Sequence, residues 1–588
     1  MKKRWKENES NQELEKRTNE ISQKFKIGTL VSSILASKKL NDKEIEIFLK
    51  PTRENFYNPF LMPDMKKAIN RIEEAIKNNE KIIIYGDYDA DGITSTTIIK
   101  RFLKDRGIDT QVYIPNRLDE GYGLNEDAIR LISSEKAKLI ITVDCGITAI
   151  KEVKLAKELG IDVVITDHHE PGEELPEAIA VVDCKRKDNQ YPFNQLAGCG
   201  VAFKLIQALA QRMDLNANEA LKYLDIACVG TISDIVPLVD ENRVIAKLGL
   251  MLVSKTKNIG LKELLNVSGY KIIDSSAISF GISPRINASG RMGHQEDALE
   301  LFLTDDPIKA RKLAQNIENY NRARQETEKR IYQEASQLIE EETKEFNLKL
   351  GNKEEKVENN KINQKDYPKS AIVLGKENWH HGVIGIVSSK ITEYYYKPSI
   401  LICFEGENGK GSGRSINEFD LHKAITECKQ YLTNFGGHSM AIGLSLKTED
   451  FPKFKEEFEQ YAEKNIPKDM LVPILKIDEE INEKDVNISN IKELKLLEPF
   501  GESNIEPIII YKNLKIEAIR TLSEGKHLKL NLKGENTYIE SIGFNLGELA
   551  ENYQIGDRVD IVGNIGINTF NNKEKIQVIL KDLRKSIG

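Results

Sequence analysis

The sequence predicts an α/β protein in which a parallel-sheet domain is linked by a long helix to a second α/β domain, followed by a small C-terminal β-barrel. Short apolar runs alternate with helix-like stretches between residues 81 and 182. The segment 308–350 contains neither glycine nor proline, and strand-like runs with little helix follow residue 475. At roughly 100–200 residues per domain, 588 residues predict three or four domains.

Composition excludes several classes of protein. With 85 basic and 92 acidic side chains the net charge is −7, which excludes a wholly basic nucleic-acid coat but permits a local basic groove. No run approaches the roughly 18 apolar residues of a membrane span, and the polar N-terminus lacks the apolar core of a signal peptide. Six cysteines without a C-x-x-C pair suit reduced thiols, so we expect a cytoplasmic protein.

The first two predicted segments are a polar, mostly helical leader at 1–78, with a proline-rich turn near its end, and a parallel-sheet domain at 79–240. Because each strand-like run in the second segment is followed by a helix-like stretch, we expect a sheet covered on both faces. The predicted strands are IIIY (82–85), QVYI (111–114), LIITV (139–143), DVVIT (162–166) and AIAVV (178–182).

The third segment, 241–350, is predicted to be helical and to end in one long helix of roughly 35 residues, about 50 Å long, that bridges two domains. A charged, Asn-rich stretch at 353–366 is expected to be a mobile loop. The remaining segments are a second α/β domain at 351–470, with helices near 421–433 and 450–464, and an OB-like β-barrel at 471–588. We expect no further domain after the barrel.

Acidic and imidazole side chains follow three of the predicted strands. Because the carboxyl ends of parallel strands meet at one edge of a sheet, these side chains should converge. So many acids would repel one another unless cations neutralise them, and two divalent ions about 4 Å apart that share one carboxylate meet this need. Mixed carboxylate and imidazole ligands suit Mn²⁺ better than Mg²⁺. The candidates are Asp87, Asp89 and Asp91, then Asp144, then Asp167, His168 and His169, with Asp234 further along the chain.

Each motif alone has a plainer interpretation. A D-x-D-x-D sequence is often a solvated turn or a weak calcium loop, and a histidine after a strand is often a cap or a core donor. Asp144 and Asp234 alone would more often be helix N-caps than ligands. The joint placement at successive strand ends favours a metal site.

These residues, in this order, resemble the DHH phosphoesterase superfamily, whose name describes the triplet at 167–169. Further motifs resemble its branch of single-stranded-DNA-specific exonucleases, which combine DHH, DHHA1 and OB-type domains. The resemblance covers about residues 45–588. The motifs are IPNRLDEGYGLN (114–125), YPFNQLAGCGVAFKL (191–205), PRINASGRM (284–292), WHHGVIGIVSSK (379–390), GSGRS (411–415), GGHSMAIGL (436–444) and LEPFGESNIEP (497–507).

The resemblance implies a two-metal phosphodiesterase that removes 5′-mononucleotides from single-stranded DNA in the 5′→3′ direction, in DNA repair and recombination. Two Mn²⁺ ions are implied, with Mg²⁺ as the alternative. Asp87, Asp89 and Asp144 would hold one ion, and Asp91, Asp144, His168 and Asp234 the other. His169 would face the scissile phosphate, and Asp167 would orient His168.

The resemblance also implies contacts to DNA. Ser412 and Arg414 would form part of a 5′-phosphate pocket, Arg117 would reach the backbone, and Arg285, Asn287 and Arg291 would line a cleft between the domains. His438 of GGH could donate to a phosphate, and a simple turn formed by its glycines is the alternative. For any single arginine a surface ion pair is the plainer interpretation, and for His380 and His381 we favour packing and substrate positioning over metal binding.

Two other functions stay open. The same site residues would serve a phosphodiesterase for short oligoribonucleotides or cyclic dinucleotides, and a replication scaffold with a decayed site is a non-catalytic alternative. Every expected ligand is a competent residue type, which argues against decay. A RecQ-type helicase and a single-strand-binding protein are the partners that the resemblance implies, and the expected state is a monomer.

Overall fold

A computed structural model of the chain describes residues 3–8, 11–117, 119–349, 367–570 and 573–586. The chain forms two compact units, one of residues 6–318 and 476–588 and the other of residues 319–475 with the first five residues. The expected mobile loop at 353–366 lies outside the described residues. Among the helices of the described ranges, none combines the length and the apolar character that crossing a bilayer requires.

The N-terminal segment is mostly helical, as predicted. Its helix α3 begins with a capping box, in which Asn41 and Glu44 each bond the other's backbone N–H. Two short 3₁₀ turns precede α4. The elements are β1 (Arg4–Glu7), α1 (Gln12–Phe25), α2 (Thr29–Ser37), α3 (Asp42–Leu49) and α4 (Met65–Lys77).

A five-stranded parallel sheet follows, in the order β3-β2-β4-β5-β6, which confirms the predicted parallel-sheet domain. Every residue of β2 and β4 is buried, which explains why these strands are continuous apolar runs. The elements are β2 (Ile82–Tyr85), α5 (Ala90–Lys104), β3 (Gln111–Tyr113), α6 (Glu126–Ser134), β4 (Leu139–Val143), α7 (Ile150–Glu158), β5 (Asp162–Asp167) and β6 (Ala180–Asp183).

The region after the sheet is helical, as predicted. A fully buried ion pair joins α8 to α11, with Lys204 Nζ 2.7 Å from Glu241 Oε1. A π-helical turn, Ala277–Ile282, leads directly into α13. The helices are α8 (Gly198–Arg212), α9 (Asn218–Leu221), α10 (Leu224–Ser233), α11 (Asp240–Val253), α12 (Ile259–Ser268), α13 (Ser283–Arg291), α14 (Gln295–Leu303) and α15 (Pro307–Lys349).

Helix α15 is the predicted long helix, and with 43 residues it is longer than expected, about 65 Å. It begins in the first unit, and its residues from 319 onward belong to the second. The second unit contains a five-stranded sheet in the order β10-β11-β9-β8-β7, of which only β7 and β8 run parallel. Its elements are β7 (Ile372–Glu377), α16 (His381–Tyr395), β8 (Ser399–Glu405), β9 (Asn408–Arg414), α17 (Leu421–Glu427), β10 (Leu432–His438), β11 (Ala441–Lys447) and α18 (Phe451–Asn465).

The helix predicted near 421–433 is wrong in its second half. Helix α17 ends at Glu427, and the chain from Leu432 to His438 forms the edge strand β10. This strand pairs with β11 through backbone hydrogen bonds, so long-range pairing overrides the local pattern.

The C-terminal residues form the predicted small β-barrel. Strand β14 pairs with both β15 and β17, which closes five strands into a barrel. The elements are β12 (Ile474–Ile477), β13 (Glu479–Glu480), α19 (Ile488–Glu493), β14 (Ile509–Leu522), β15 (His527–Lys533), β16 (Tyr538–Gly543), β17 (Arg558–Phe570) and β18 (Lys573–Lys585).

The N-terminal helices share a hydrophobic core with this barrel. Ile21 and Ile45 belong to the same buried cluster as Ile516 and Leu530 of the barrel. The buried guanidinium of Arg243 reinforces the junction, since it donates to the carbonyls of Phe48, Leu497, Glu498 and Pro499. From residue 6 onward, the segment predicted as a leader is therefore an integral part of the first unit.

Candidate active site

The loop after β2 carries the first three acids. Asp89 caps α5, because its Oδ1 accepts hydrogen bonds from the N–H groups of Asp91 (2.9 Å) and Gly92 (3.0 Å). A Cβ atom on Gly92 would lie 2.4 Å from the Asp87 carbonyl oxygen, so only glycine fits this tight turn. The turn places Asp87 and Asp91 in the protein interior, at 3% and 2% exposure.

Asp144 lies directly after β4 in a strained backbone conformation. Its φ of 60° falls in the left-handed region, which an aspartate adopts at an energetic cost. The backbone of α8 packs against its carboxylate, since a Cβ atom on Gly198 would lie 2.6 Å from Asp144 Oδ1. The strained residue is thus fixed by neighbouring backbone at the carboxyl edge of the sheet.

His168 brings three of the acids together. Its Nε2 lies 3.0 Å from Asp144 Oδ1, and 3.7 Å from both Asp91 Oδ2 and Asp234 Oδ2. Asp234 reaches this point from the C-terminal end of α10. Asp91 is fixed by the N-terminus of α8, where the N–H groups of Gly198 and Cys199 donate to its two oxygens at 2.6 and 2.9 Å.

Burial and mutual repulsion shift the pKa values of the side chains in this cluster. Burial, followed by the charge of neighbouring carboxylates, raises the pKa values of Asp87, Asp144 and Asp234 well above the usual range and that of Asp91 to about 6. Burial also lowers the pKa of His168 to about 3, so its imidazole is neutral at physiological pH. A neutral imidazole among buried acids is the protonation state that metal binding requires.

Three buried ligand atoms lack a hydrogen bond partner among the described residues: Asp87 Oδ1, Asp144 Oδ1 and His168 Nε2. A backbone hydrogen bond with Leu196 also acts on the His168 ring and raises its pKa against the greater effect of burial, while Nε2 lies against the Asp144 carboxylate. Two such acceptor atoms 3.0 Å apart repel each other unless a proton or a cation lies between them, and a bound divalent ion would contact both.

The donor atoms fall into groups that fit divalent ions. Within each group the ligand atoms lie within 4.8 Å of one another. Oxygen and imidazole donors of this kind suit Mn²⁺ and related ions. The groups are Asp87, Asp89 and Asp144; Asp91, His168 and Asp234; and Asp144, His168 and His169. The structure therefore brings together all six expected ligands.

One predicted role is wrong. The resemblance implies that Asp167 orients His168, but its Oδ1 lies 2.7 Å from Nδ1 of His169 and meets His168 only at the backbone N–H. The Leu196 carbonyl takes the expected place of Asp167 beside His168. Burial lowers the pKa of His169, but the hydrogen bond with Asp167 outweighs it and the net pKa is raised.

Tyr122 is a residue that sequence reasoning missed. Its hydroxyl donates to the Asp144 carbonyl at 3.0 Å and lies 3.1 Å from His169 Nδ1. Gly121 and Gly123, on either side of Tyr122, both adopt positive φ. The Gly-Tyr-Gly sequence is the pattern that could have indicated a functional tyrosine. Tyr122 therefore positions both Asp144 and His169.

Two of the predicted DNA-contacting residues of the first unit, Arg117 and Arg285, contact other groups of the protein. Arg117 lies over the Tyr88 ring, with its guanidinium carbon 5.0 Å from the ring centroid. Arg285 binds Glu318 at 2.7 Å and the Gly281 carbonyl at 2.7 Å, so its guanidinium positions α13.

Two further members of this set lie beside the acidic loop. Asn287 accepts a hydrogen bond from the Ala90 N–H and so supports that loop directly. Arg291 lies near Tyr88, since its charge is among those that lower the Tyr88 pKa, although burial raises that pKa to a greater extent.

In the second unit Ser412 and Arg414 lie together on β9, with Arg414 donating to Ser412 Oγ at 3.1 Å. The small residues of the GSGRS motif would suit a flexible loop, but residues 411–414 of the motif are part of the central strand β9. The Cβ positions of Gly411 and Gly413 face Leu444 and Ile442, so Ser412 and Arg414 point to the opposite face.

The two histidine motifs of the second unit differ in their surroundings. His438 is exposed on strand β10, whose glycines are paired with β11 and do not form a turn. His380 caps α16 by accepting from the Gly382 N–H, and His381 lies 3.3 Å from Glu405. None of these three histidines belongs to a possible metal-binding group among the described residues.

Comparisons with known proteins agree with this geometry. The DHH family, N-terminal domain, matches residues 81–231, the DHHA1 domain matches 369–464 and the RecJ OB domain matches 477–582. The single-stranded-DNA-specific exonuclease RecJ of Bacillus subtilis (strain 168) is 39% identical over 568 residues, which cover 96% of this chain and 69% of that protein. The chain belongs to the RecJ family.

Other RecJ proteins support the assignment. RecJ of Thermus thermophilus is 34% identical over 523 residues, covering 89% of this chain and 71% of that protein. The crystal structure of RecJ from that organism in complex with Mn²⁺ has a TM-score of 0.83 at 30% identity, covering 100% of this chain and 80% of its own. The resemblance to the exonuclease branch and the predicted fold class are both confirmed.

Proposed function

We propose that this RecJ family member is a metal-dependent exonuclease that degrades single-stranded DNA from the 5′ end and releases 5′-mononucleotides. The main support for this proposal is the buried cluster, in which Asp87 Oδ1, Asp144 Oδ1 and His168 Nε2 have no hydrogen bond partner among the described residues. The relatives named above as single-stranded-DNA-specific exonucleases, one of them crystallised with Mn²⁺, support the substrate and the metal.

The cluster would hold two Mn²⁺ ions. Asp87, Asp89 and Asp144 would bind one, and Asp91, Asp144, His168 and Asp234 the other, as the groups of neighbouring donors allow. When bound, such ions supply Lewis-acid stabilisation of the phosphate oxygens and activation of water. Mg²⁺ is the alternative ion, since RecJ of Thermus thermophilus has also been crystallised with it.

The chain's own residues supply the remaining chemistry. His169 is 41% exposed, and its raised pKa favours the protonated ring, which would offer positive charge to a phosphate that carries developing negative charge. Asp167 fixes the orientation of its ring and favours its protonated form. His169 therefore stabilises the transition state, while Asp167 is a positioning residue.

Ser412 and Arg414 would bind the 5′-terminal phosphate. An arginine fork and a hydroxyl on one strand face can donate several parallel hydrogen bonds to phosphate oxygens. Gly385 leaves the space for them, because its Cβ would lie 2.9 Å from Ser412 Oγ and 3.2 Å from an Arg414 nitrogen. Arg117, Arg291 and His438 would contact the backbone of the strand, and the barrel would bind it without sequence preference.

We also propose that the protein is a cytoplasmic monomer that acts with a RecQ-type helicase and a single-strand-binding protein in DNA repair and recombination. Light scattering during size-exclusion chromatography tests the monomer. Faster degradation of a duplex with a 5′ overhang when both partner proteins and ATP are added tests the cooperation.

The experiment for the activity compares matched 5′- and 3′-end-labelled single strands with Mn²⁺. We expect the 5′ label to appear at once as a mononucleotide, while the 3′ label stays in progressively shorter strands. Asp144→Ala should abolish hydrolysis and retain DNA binding. Release of the 3′ label first, an intact strand with the Mn²⁺-loaded protein, or turnover by the variant would each contradict the proposal.

A further inference from the structure

Lys185 is a basic residue at the edge of the acidic cluster that no motif singled out. It lies two residues after the end of β6, and Asp183 at that end pairs in register with Asp167 of β5. Its Nζ lies 3.5 Å from Oε1 of Glu170, the residue after His169. The backbone N–H of Lys185 donates to Asp183 Oδ1 at 2.7 Å, which fixes where its side chain begins.

The charge of Lys185 acts on two of the expected ligands. Burial is the largest influence on the pKa values of His168 and Asp234, but the positive charge of Lys185 lowers both. Its ammonium group therefore lies within electrostatic reach of the group formed by Asp91, His168 and Asp234.

Arg117 is a second basic residue beside the acidic loop. Arg117 lies against Tyr88, and its charge lowers the pKa of Asp87, although burial raises that pKa to a greater extent. Two cations therefore lie beside the site, Arg117 against Tyr88 of the acidic loop and Lys185 against Glu170, the residue after His169. A polyanion that crosses the site would meet positive charge from both.

The plainer interpretation of Lys185 is a surface ion pair with Glu170. That pair is weak, because the distance is 3.5 Å and the Glu170 side chain is 68% exposed to water. The Lys185 side chain is only 26% exposed, so its aliphatic part is already ordered. An ordered ammonium group with a weak, exposed partner can exchange that partner for a phosphate at little entropic cost.

We propose that Lys185 binds a phosphate of the substrate strand beside His169, at the carboxyl ends of β5 and β6, exchanging Glu170 for that phosphate as the strand enters. This inference rests on the proposed function, since the phosphate belongs to a single-stranded DNA. Lys185 would lower the dissociation constant of the strand and fix its path over the cluster.

The test measures KM for a 5′-phosphorylated single strand with Mn²⁺, and Kd by fluorescence anisotropy with Ca²⁺ as the divalent ion. Lys185→Ala should raise both constants about tenfold, as the loss of one charge-assisted hydrogen bond predicts. The slope of log Kd against log salt should become shallower by about 0.7, the contribution of one phosphate of a single strand. Lys185→Arg should restore most of the affinity.

Two matched variants complete the experiment. Lys187→Ala removes an exposed lysine two residues away and should leave KM, Kd and the salt slope unchanged. Glu170→Gln removes the competing partner and should leave Kd unchanged or lower it by about twofold. Strands with a single neutral methylphosphonate linkage should identify the contacted phosphate, because neutralising that linkage weakens binding by the wild type but not by Lys185→Ala.

The outcomes separate the two proposals. If the wild type leaves single strands intact, the proposed activity fails, while the anisotropy measurement still reports on Lys185. If the wild type is active and Lys185→Ala keeps the wild-type Kd and salt slope, the role of Lys185 is overturned. An equal effect of Lys187→Ala on Kd and on the salt slope would also overturn the role of Lys185. Lys185→Gln, which removes the charge but keeps most of the side chain, replaces Lys185→Ala if that variant melts at a lower temperature.

Discussion

Gly198 and Asp144 are in such close contact that a single methyl group on the glycine would lie 2.6 Å from the carboxylate oxygen Oδ1. The backbone N–H of Gly198 also donates to Asp91 Oδ2 at 2.6 Å. One residue without a side chain thus positions two of the expected metal ligands.

Gly198→Ala should displace Asp144 and weaken Mn²⁺ binding about 10- to 100-fold, the usual effect of disturbing the support of a ligand. Mn²⁺ titration followed by calorimetry measures the affinity directly. Gly172→Ala is the control, since its Cβ would have only an ordinary contact of 3.7 Å. Unchanged Mn²⁺ affinity in Gly198→Ala would contradict the close contact.

Asp167→Asn should shift the alkaline limb of the rate profile to lower pH. The hydrogen bond with Asp167 raises the pKa of His169 against the opposing effect of burial, so the protonated form persists above its ordinary range near 6.5. Without that carboxylate the pKa falls, and kcat should decrease more at about pH 8 than at about pH 6. Asp188→Asn, at an exposed site, should keep the wild-type profile. A uniform loss at every pH would show that Asp167 does not set this titration.

Asp183→Asn should make the metal-free protein more stable at neutral pH. Burial raises the pKa of Asp183 to about 7, and its Oδ2 has no hydrogen bond partner among the described residues. The folded carboxyl group therefore keeps its proton where the unfolded one loses it, so stability decreases between about pH 4 and pH 7.

The variant should lack that decrease. Its advantage in the free energy of unfolding should grow by on the order of 3 kcal/mol from about pH 4.5 to 7.5, because each pKa unit is worth about 1.4 kcal/mol. An unpaired amide in the variant lowers the advantage equally at both pH values. Urea unfolding in EDTA at several pH values measures this. Asp119→Asn, at an exposed position, should show no such trend. An advantage that is the same at both pH values would assign the effect to packing.

Glu241→Gln should destabilise the first unit strongly. Glu241 and Lys204 are fully buried, and Glu241 also accepts from the Tyr57 N–H at 3.0 Å. Removing one charge leaves the other buried and unpaired, which costs about 3–5 kcal/mol. Urea unfolding measures the loss, and Glu177→Gln, from an exposed ion pair, should give no measurable change. A loss below about 1 kcal/mol would mean that water compensates Lys204.

Arg414→Ala should reduce the preference for a 5′-phosphorylated strand over a 5′-hydroxyl strand about tenfold, because a charged hydrogen bond donor to the terminal phosphate is lost. The ratio of kcat/KM for the two substrates measures the preference. Arg414→Lys should recover only part of it, since lysine lacks the planar fork. Lys468→Ala, an exposed change in the same unit, should leave the ratio unchanged. An equal decrease of kcat/KM with both substrates would show that Arg414 does not contact the 5′-terminal phosphate.

The parallel sheet and its acidic edge could be predicted because the underlying physics is local. Strands β2 and β4 are buried on both faces, so they are continuous apolar runs that end where Asp87 and Asp144 follow. The carboxyl ends of such strands meet by geometry, which is why the metal ligands could be grouped without a structure.

Other features depend on contacts between distant residues. The partner of His168 is the Leu196 carbonyl, which is distant along the chain, and no pattern at 167–169 indicates which histidine Asp167 holds. The pairing of Arg285 with Glu318 likewise joins separate helices. In GSGRS the small residues suggest flexibility, whereas the alternation of glycine with a period of two indicates the strand that the structure contains.

The buried, unpaired atoms of Asp87, Asp144 and His168 have a consequence for the life of the protein in the cell. An ion that binds only the folded chain shifts the folding equilibrium in proportion to its free concentration. Newly made chains would therefore resist proteolysis best when manganese is plentiful, and starvation for the metal would shorten their half-life as well as stop their catalysis.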